Sequence, residues 1–310
     1  MSGLGVTLFQ KFAVLRNQQK INGMRSGKVQ ELFSYLLIFR GHPQSREYLA
    51  ELLWADEPPA LSKKKLRQIL WRLQALLKEI QASSDLELVV DSDCVQINLP
   101  SYFWLDIHEF EETFKWASRK RVRELTADDF RGIQAVVDLY KGDLLEGWYQ
   151  DWCIFERERF QAMYLMLLDK LVQYCEVQAN YDAGLIYGAE ILRHDRAYER
   201  THRQMMRLYY RAGDRTQALR QYQRCVEALR SELDIEPSQR TKQLYEQIRS
   251  DTFTPPLFAS AQDIPSGAQA APQIKDVMKR LEQFSETLNR IDFQVQQEIT
   301  ALGSAISERG

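Results

Sequence analysis

The stretch SKKKLRQILWRLQALL, residues 62–77, decides the fold of the first third of the chain. Its leucines recur at intervals of three and four, which is the spacing of one buried stripe on an α-helix. The opposite face carries cations and no acid: Lys63, Lys64, Lys65, Arg67 and Arg72. Such a face fits a groove lined with phosphates, although a run of charges also occurs on ordinary solvated helices. The segments that flank this helix decide between the two interpretations.

The flanking segments predict a small leading sheet, two further helices and a hairpin. Helices are predicted at 27–39 and 46–54, with Ser45 as the N-cap of the second. Strands are predicted at 86–90 and 95–99 on the two sides of a polar turn. This order is typical of a winged helix-turn-helix. In that fold the third helix enters the major groove, and the hairpin touches the neighbouring DNA backbone.

Side-chain chemistry assigns the candidate DNA contacts on the third helix, taken as residues 60–80. Lys63 and Lys64 suit phosphate, because a flexible ammonium acts as a point charge. Arg67 and Gln68 suit base edges, since Arg pairs in bidentate geometry with guanine and Gln with adenine.

Four further candidates have open alternatives. Arg72 fits either DNA or an ion pair with a neighbouring helix. Trp71 fits either stacking on sugar or packing on a neighbour. Ser45 and Arg46 fit backbone phosphate, with plain exposure the favoured alternative for Arg46.

Residues 101–250 predict an all-α array with an internal repeat of 34 to 35 residues. The matched positions are Ala183 with Ala218, Tyr187 with Tyr222, and the turn residues Asn180 with Asp214. A helix-turn-helix repeat near this length indicates tetratricopeptide-like stacking, whose concave groove binds peptides or protein partners. Trp148, Tyr149 and Trp152 are candidate partner anchors, but packing in the core is the favoured interpretation.

The tail has two parts. Residues 251–272 are rich in Pro, Ala, Ser and Gly and predict a flexible linker. Residues 273–303 predict a coiled-coil oligomerisation helix, favoured over a helix that docks on its own chain. Its heptad seam consists of Ile274, Val277, Leu281, Phe284, Leu288, Ile291 and Val295.

Composition limits the function classes. The chain has 310 residues and a net charge of −2, yet residues 1–100 carry 13 lysines and arginines against 10 acids, so an anionic ligand is expected at the front. The scattered cysteines, without a CxxC pair, predict free thiols and no zinc site. No signal peptide or membrane span is predicted, which favours the cytoplasm. Because no catalytic motif occurs, we expect neither an enzyme nor a cofactor.

A set of motifs resembles one protein family. The motifs are REYLAELLWADEPP (46–59), KLRQILWRLQALL (65–77), LDIHEF (105–110), GDLLEGWYQDWCIFERERF (142–160), RLYYRAGDRTQALRQYQRC (207–225) and LDIEPSQRTKQLYEQI (233–248). Together they resemble the bacterial transcriptional activator domain family, the group that contains the Streptomyces antibiotic regulatory proteins. The resemblance covers residues 5–250. It implies a winged-helix DNA-binding domain followed by a tetratricopeptide-like activator domain.

The sequence departs from the family pattern at the DNA-facing positions. Gln74 and Ala75 stand where arginine is usual, and Trp71 stands where a small or polar residue is usual. The predicted wing tip, Asp91-Ser92-Asp93, carries acids that repel phosphate. Further, the tail is short, where many members carry another domain.

Two hypotheses follow. In the first, the chain is a mainly α transcription regulator with small β elements and three parts. A winged helix (1–100) reads double-stranded DNA, a helical array (101–250) contacts RNA polymerase or another protein, and the tail forms a homo-oligomer. In the second, the same fold is a protein-interaction or ligand-sensing scaffold that binds DNA weakly or not at all.

Overall fold

The chain is mainly helical with two small sheets, which confirms the predicted fold class. A computed structural model describes residues 4–17, 19–21, 27–80, 86–100 and 102–253. Two compact units are distinguished, Met1–Tyr245 and Glu246–Gly310. The features below belong to the first unit, apart from the end of the last helix. The predicted coiled-coil helix lies outside the described residues, as does the predicted linker from residue 254 onward.

The front part contains the elements in the predicted winged-helix order. They are β1 (Leu4–Thr7), β2 (Ala13–Arg16), β3 (Gln19–Ile21), α1 (Gly27–Ile38), β4 (Gln44–Ser45), α2 (Arg46–Leu53), α3 (Pro59–Ile80), β5 (Glu87–Val90) and β6 (Cys94–Asn98). The helical part then contains β7 (Trp104–Leu105), α4 (Asp106–Arg119), α5 (Ala127–Val137), α6 (Asp151–Val177), α7 (Tyr181–His194), α8 (Glu199–Arg211), α9 (Arg215–Leu233) and α10 (Gln239–Arg249).

The leucine stripe of α3 is the core of the front part. Leu66, Leu70, Leu73 and Leu77 are all buried, and Leu73 is fully enclosed. Helix α3 packs on both α1 and α2 through this stripe. Helix α2 begins where predicted, because the backbone N–H of Tyr48 donates to Ser45 Oγ at 3.4 Å. The spacing of leucines therefore places α3 with its charged face outward.

The second sheet contains the wing, which is the hairpin that follows α3 in the chain. Its strand order is β4-β6-β5, and all of its pairs are antiparallel. Val90 pairs with Val95, so residues 91–94 form the tip of the hairpin. Because Ser45 pairs with Cys94, the residue that caps α2 is also hydrogen-bonded to the wing. The start of α2 and the wing tip are thus held together.

The first sheet joins the front part to the helical part. Its order is β3-β2-β1-β7, and β1 pairs with β7 in parallel, with Val6 opposite Leu105. The apolar spacing of the sequence predicts a helix from Trp104 to Lys120, so this two-residue strand takes the place of the predicted first turn. The helix instead begins at Asp106, whose carboxylate lies in the core. The predicted domain boundary near residue 100 remains a prediction, since residues on both sides of it belong to one compact unit.

The buried Asp106 carboxylate links the two parts across this junction. Its Oδ2 accepts hydrogen bonds from the backbone N–H groups of Leu8 at 2.7 Å and of Phe9 at 2.9 Å. Its Oδ1 accepts a hydrogen bond from the backbone N–H of Ile107 at 2.8 Å. Burial raises the pKa of Asp106 to about 6, although these three donors favour the charged form. The first loop after β1 is therefore fixed to the start of α4.

The helical part consists of helices packed in sequence order, and small residues let them approach closely. Gly184 and Gly188 lie one turn apart on α7, and both are buried. A Cβ atom at Gly188 would stand 2.9 Å from Met205 Cγ on α8, so a larger residue here would require the Met205 side chain to shift. The predicted turn residues Asn180 and Asp214 are the N-caps of α7 and α9, and the tetratricopeptide-like repeat itself remains a prediction.

Ion pairs link α6 to α8. Arg200 donates to Asp169 at 3.0 Å, and Arg207 makes two hydrogen bonds to Glu176 at 2.8 and 3.0 Å. These side chains are only partly exposed. The arginines of α8 are therefore used within the helical part, and they hold alternate helices together.

We expect Asp106→Ala to lower the free energy of unfolding by about 2–4 kcal/mol, because the buried N–H groups of Leu8 and Phe9 lose their acceptor. Asp106→Asn retains an acceptor oxygen and should lose less. Urea unfolding measures both variants. Glu109→Ala, an exposed carboxylate in the first turn of the same helix, is the control and should cost under about 1 kcal/mol. Equal losses for Asn and Ala would contradict this role.

The burial of His202 predicts that the folded protein loses stability in acid. It is buried, and its Nε2 lies 2.9 Å from the carbonyl oxygen of Arg196, so Nε2 carries the proton. Its Nδ1 then accepts from Gln221 Nε2 at 2.8 Å. Burial lowers the pKa of His202 below its usual value of 6.5. The unfolded state consequently binds the proton more readily, and stability falls as the pH drops below about 6.5.

The test compares the free energy of unfolding at pH 7.5 and pH 5 for the parent and for His202→Gln, which does not titrate. We expect the parent to lose more stability over this interval than the variant. His42→Gln removes an exposed histidine and should keep the slope of the parent. Parallel slopes for all three proteins would refute the assignment.

Candidate nucleic-acid interface

Helix α3 presents a long face of exposed side chains. Its 22 residues span about 33 Å at 1.5 Å per residue. Lys64, Arg67, Gln68 and Trp71 are all exposed on this face, opposite the buried leucines. At about 100° per residue, Trp71 lies about 20° from Lys64 and about 40° from Arg67 around the axis. The helix thus places cations, an amide and an indole side by side.

The cations of α3 differ in their partners. Lys63 forms an ion pair with Glu47 of α2, and Lys65 forms one with Glu57 in the loop before α3. Lys64, Arg67 and Arg72 form no ion pair with any residue in the described ranges. The predicted alternative for Arg72, an ion pair with a neighbouring helix, is therefore not found among those residues. Three cations of the face are available to an external anion.

The wing tip carries exposed acids and is held by Arg46. The backbone N–H of Arg46 donates to the carbonyl oxygen of Asp93 at 2.9 Å, and its Nη1 donates to that of Asp91 at 2.7 Å. Arg46 is thus a link between α2 and the wing rather than a plainly exposed side chain. The carboxylates of Asp91 and Asp93 remain at the surface, where they oppose an approaching phosphate.

Trp71 is 69% exposed, so its indole is not packed in the core. It stands at the edge of a shallow, open cavity of about 290 Å³ between α1 and the second half of α3. The lining residues are Val29, Trp71, Arg72, Ala75, Leu76 and Glu79. Arg72, which also lines this cavity, lies about 100° around the helix axis from Trp71. It is therefore at the side of the exposed face and not at its centre.

Sequence reasoning missed the acids that neutralise part of this face. Glu47 lies 16 positions before Lys63 in the chain, and no helical or strand spacing connects them. The α2–α3 packing brings them together. A weak signal was present in the motif REYLAELLWADEPP, whose acids precede the helix. The number of cations in a sequence therefore overstates the charge that the folded helix offers.

The three aromatic residues near the start of α6 are divided between core and surface. Trp152 is buried and packs edge-on against Tyr35 of α1, with ring centroids 5.3 Å apart. Trp148 packs on Trp152 at 6.4 Å. Tyr149, in contrast, is 80% exposed. Core packing is thus found for Trp152, whereas Tyr149 stays available to a partner.

The described ranges contain neither a metal-binding cluster nor a membrane-spanning helix. No three histidine, cysteine, aspartate or glutamate side chains in those ranges converge closely enough to bind a metal ion. No helix within the same ranges has the length and apolar character needed to cross a bilayer.

The fold and the exposed cationic helix define a class: a winged helix-turn-helix joined to a helical array, which is an architecture of transcription regulators. The comparisons agree with this class. Residues 105–249 match the model of the family described as bacterial transcriptional activator domain. This part of the chain is therefore similar to that domain over residues 105–249.

The structural comparison extends the similarity to the front part. The fold is similar to that of Mycobacterium tuberculosis EmbR, solved in complex with a low-affinity phosphopeptide, with a TM-score of 0.61 and 17% sequence identity. The match covers 81% of this chain and 66% of the EmbR chain, so this chain spans just under two thirds of that protein. No curated protein matches the sequence.

Proposed function

We propose that the chain is a DNA-binding transcription regulator whose α3 enters the major groove. The observation that carries the proposal is the exposed face of α3, on which Lys64, Arg67 and Arg72 lack any ion pair with a described residue. Cations that a protein leaves unneutralised on one helix face attract a polyanion such as DNA. The wing beside this helix supplies the second surface that a winged helix uses.

Each residue has a proposed role that follows from its position. Arg67 and Gln68 contact base edges from the middle of the face, and Lys64 contacts phosphate. Lys63 contributes less than its charge suggests, because Glu47 neutralises it. Arg72 contacts phosphate from the side of the helix.

Ser45 and Arg46 are proposed to contact the DNA backbone at the start of α2. Ser45 already caps α2, and Arg46 uses one side-chain donor for the carbonyl oxygen of Asp91. An arginine has five N–H donors, so Arg46 has others for phosphate. Their second role is to keep the wing tip in place beside that backbone.

Affinity per protomer is expected to be low, because the acids of α2 and the wing oppose phosphate. Glu47 pairs with Lys63, and Asp91 and Asp93 are exposed at the wing tip. We propose that the tail compensates by linking protomers, since two linked sites bind repeated DNA sequences more tightly than one. The helical array would contact RNA polymerase or another protein, and the exposed Tyr149 suits such a contact.

The salt dependence of duplex binding tests the proposal. The probe is a duplex selected by the full chain from a random-sequence pool, beside an unselected duplex of equal length. We expect Lys64→Ala to weaken both and to reduce the slope of log K against log salt by about 1, the value for one phosphate contact. Arg67→Ala should instead weaken the selected duplex about tenfold or more and reduce the preference for it.

Lys141→Ala is the control, since it removes an exposed lysine of the helical part. It should leave both affinities and the slope unchanged. If the parent binds no duplex even at low salt, DNA binding is excluded. The scaffold hypothesis is then favoured, and the acids around α3 are the observation that supports it.

The oligomer proposal has its own test. Light scattering gives the mass of the full chain and of a chain that ends at residue 272. We expect the full chain to have at least twice the protomer mass and the shortened chain to be a monomer. A control with Leu281 and Leu288 both changed to Gln keeps the length but disrupts the predicted seam. An unchanged mass in both variants would exclude the tail as the oligomerisation element.

A further inference from the structure

The second half of α3 carries an apolar group where a DNA-reading helix usually carries polar ones. Trp71 is the most exposed large apolar side chain on α3, at 69%, while Leu61 near its start is 42% exposed. Exposure of an indole of this size to water is unfavourable, so a protein gains free energy when a ligand covers it. The position of Trp71 on the helix indicates which ligand that is.

Trp71 lies at the centre of the cationic face rather than at its edge. Arg67 stands one turn before it, about 6 Å along the axis, and Ala75 stands one turn after it. Lys64 lies two turns before it and only about 20° away around the axis. When α3 approaches a polyanion through Lys64 and Arg67, the indole therefore faces the same surface.

We propose that Trp71 is a specificity-determining residue that contacts the C5-methyl group of a thymine in the major groove. This inference rests on the proposed function and deepens it. In the major groove the base edges present nitrogen and oxygen atoms, and the thymine methyl is their apolar group. An indole has one N–H donor and no acceptor, so it recognises bases mainly by apolar contact. The small side chain of Ala75 leaves room beside the ring.

The neighbours of Trp71 support this role over a purely electrostatic one. Gln74 is half-buried and Ala75 has no polar group, so between Trp71 and the exposed Lys78 near its end the helix carries no cation except Arg72, which lies at the side of the face. Glu79, which lines the adjacent cavity with Arg72, further reduces the positive potential there. Sequence preference from this half of the helix must then come from shape and apolar contact, which Trp71 supplies.

The experiment is a double-substitution cycle between protein and base. The probe is the duplex selected by the full chain, in which each thymine is replaced in turn by deoxyuridine, which lacks only the methyl group. We expect one replacement to weaken binding by the parent about fourfold, the value for one buried methyl-sized group. The same replacement should leave binding by Trp71→Ala unchanged, and Trp71→Phe, which keeps a ring, should show an intermediate loss.

Phe155→Ala is the matched control, because it removes an aromatic side chain that is 63% exposed, outside α3. It should respond to deoxyuridine as the parent does. Circular dichroism verifies folding of each variant, and the exposed position of Trp71 makes alanine compatible with the helix.

Two outcomes overturn the inference. If no deoxyuridine replacement weakens the parent, or if it weakens Trp71→Ala equally, Trp71 does not read a methyl group. Salt-dependent binding that is retained in that case leaves the proposed function intact. The exposed indole of Trp71 is then assigned to contact with a protein partner or with deoxyribose, and not with a methyl group. If no duplex binds at all, both the proposed function and this inference fail.

Discussion

The structure depends on one buried carboxylate. Asp106 lies at the start of α4. Its carboxylate accepts the backbone N–H groups of Leu8 and Phe9, the residues that follow β1. Loss of its hydration raises the pKa of Asp106, because burial disfavours the charged carboxylate. The backbone groups that it satisfies lie where β1 leaves its sheet. A small sheet and a helical array are thereby joined at a point where a flexible linker would otherwise be expected.

The junction continues beyond this carboxylate. Arg40 at the end of α1 donates to Glu111 of α4 at 2.5 Å, and Arg159 of α6 reaches the same carboxylate at 2.7 Å. Phe9 packs among the rings of Phe110 and Phe160, with centroids 5.2 and 5.5 Å away. Apolar contact and paired charges thus act at the same interface, and α3 belongs to the same compact unit as the array.

Local patterns in the sequence predicted the elements well, and distant contacts account for what was missed. The leucine period gave α3, Ser45 gave the start of α2, and the valine-rich segments gave the wing. Strand β7 was missed because two residues next to a helix carry no strand period of their own, and only pairing with β1 makes them a strand. The face of α3 was predicted from residue type, but its neutralisation by Glu47 and Glu57 depends on tertiary packing. The roles of individual residues toward DNA remain predictions.

The parallel pairing of β1 with β7 has a geometric consequence. The chain leaves β1, builds the whole winged helix, and returns to lie beside its own first strand. An element that is attached at both of its ends cannot rotate freely about one connection. A partner held by the array would therefore keep a constant direction and distance from a base pair held by α3. Under the proposed function, and on a duplex that turns once in about 10 base pairs, this double attachment would make binding depend on helical phase as well as on sequence.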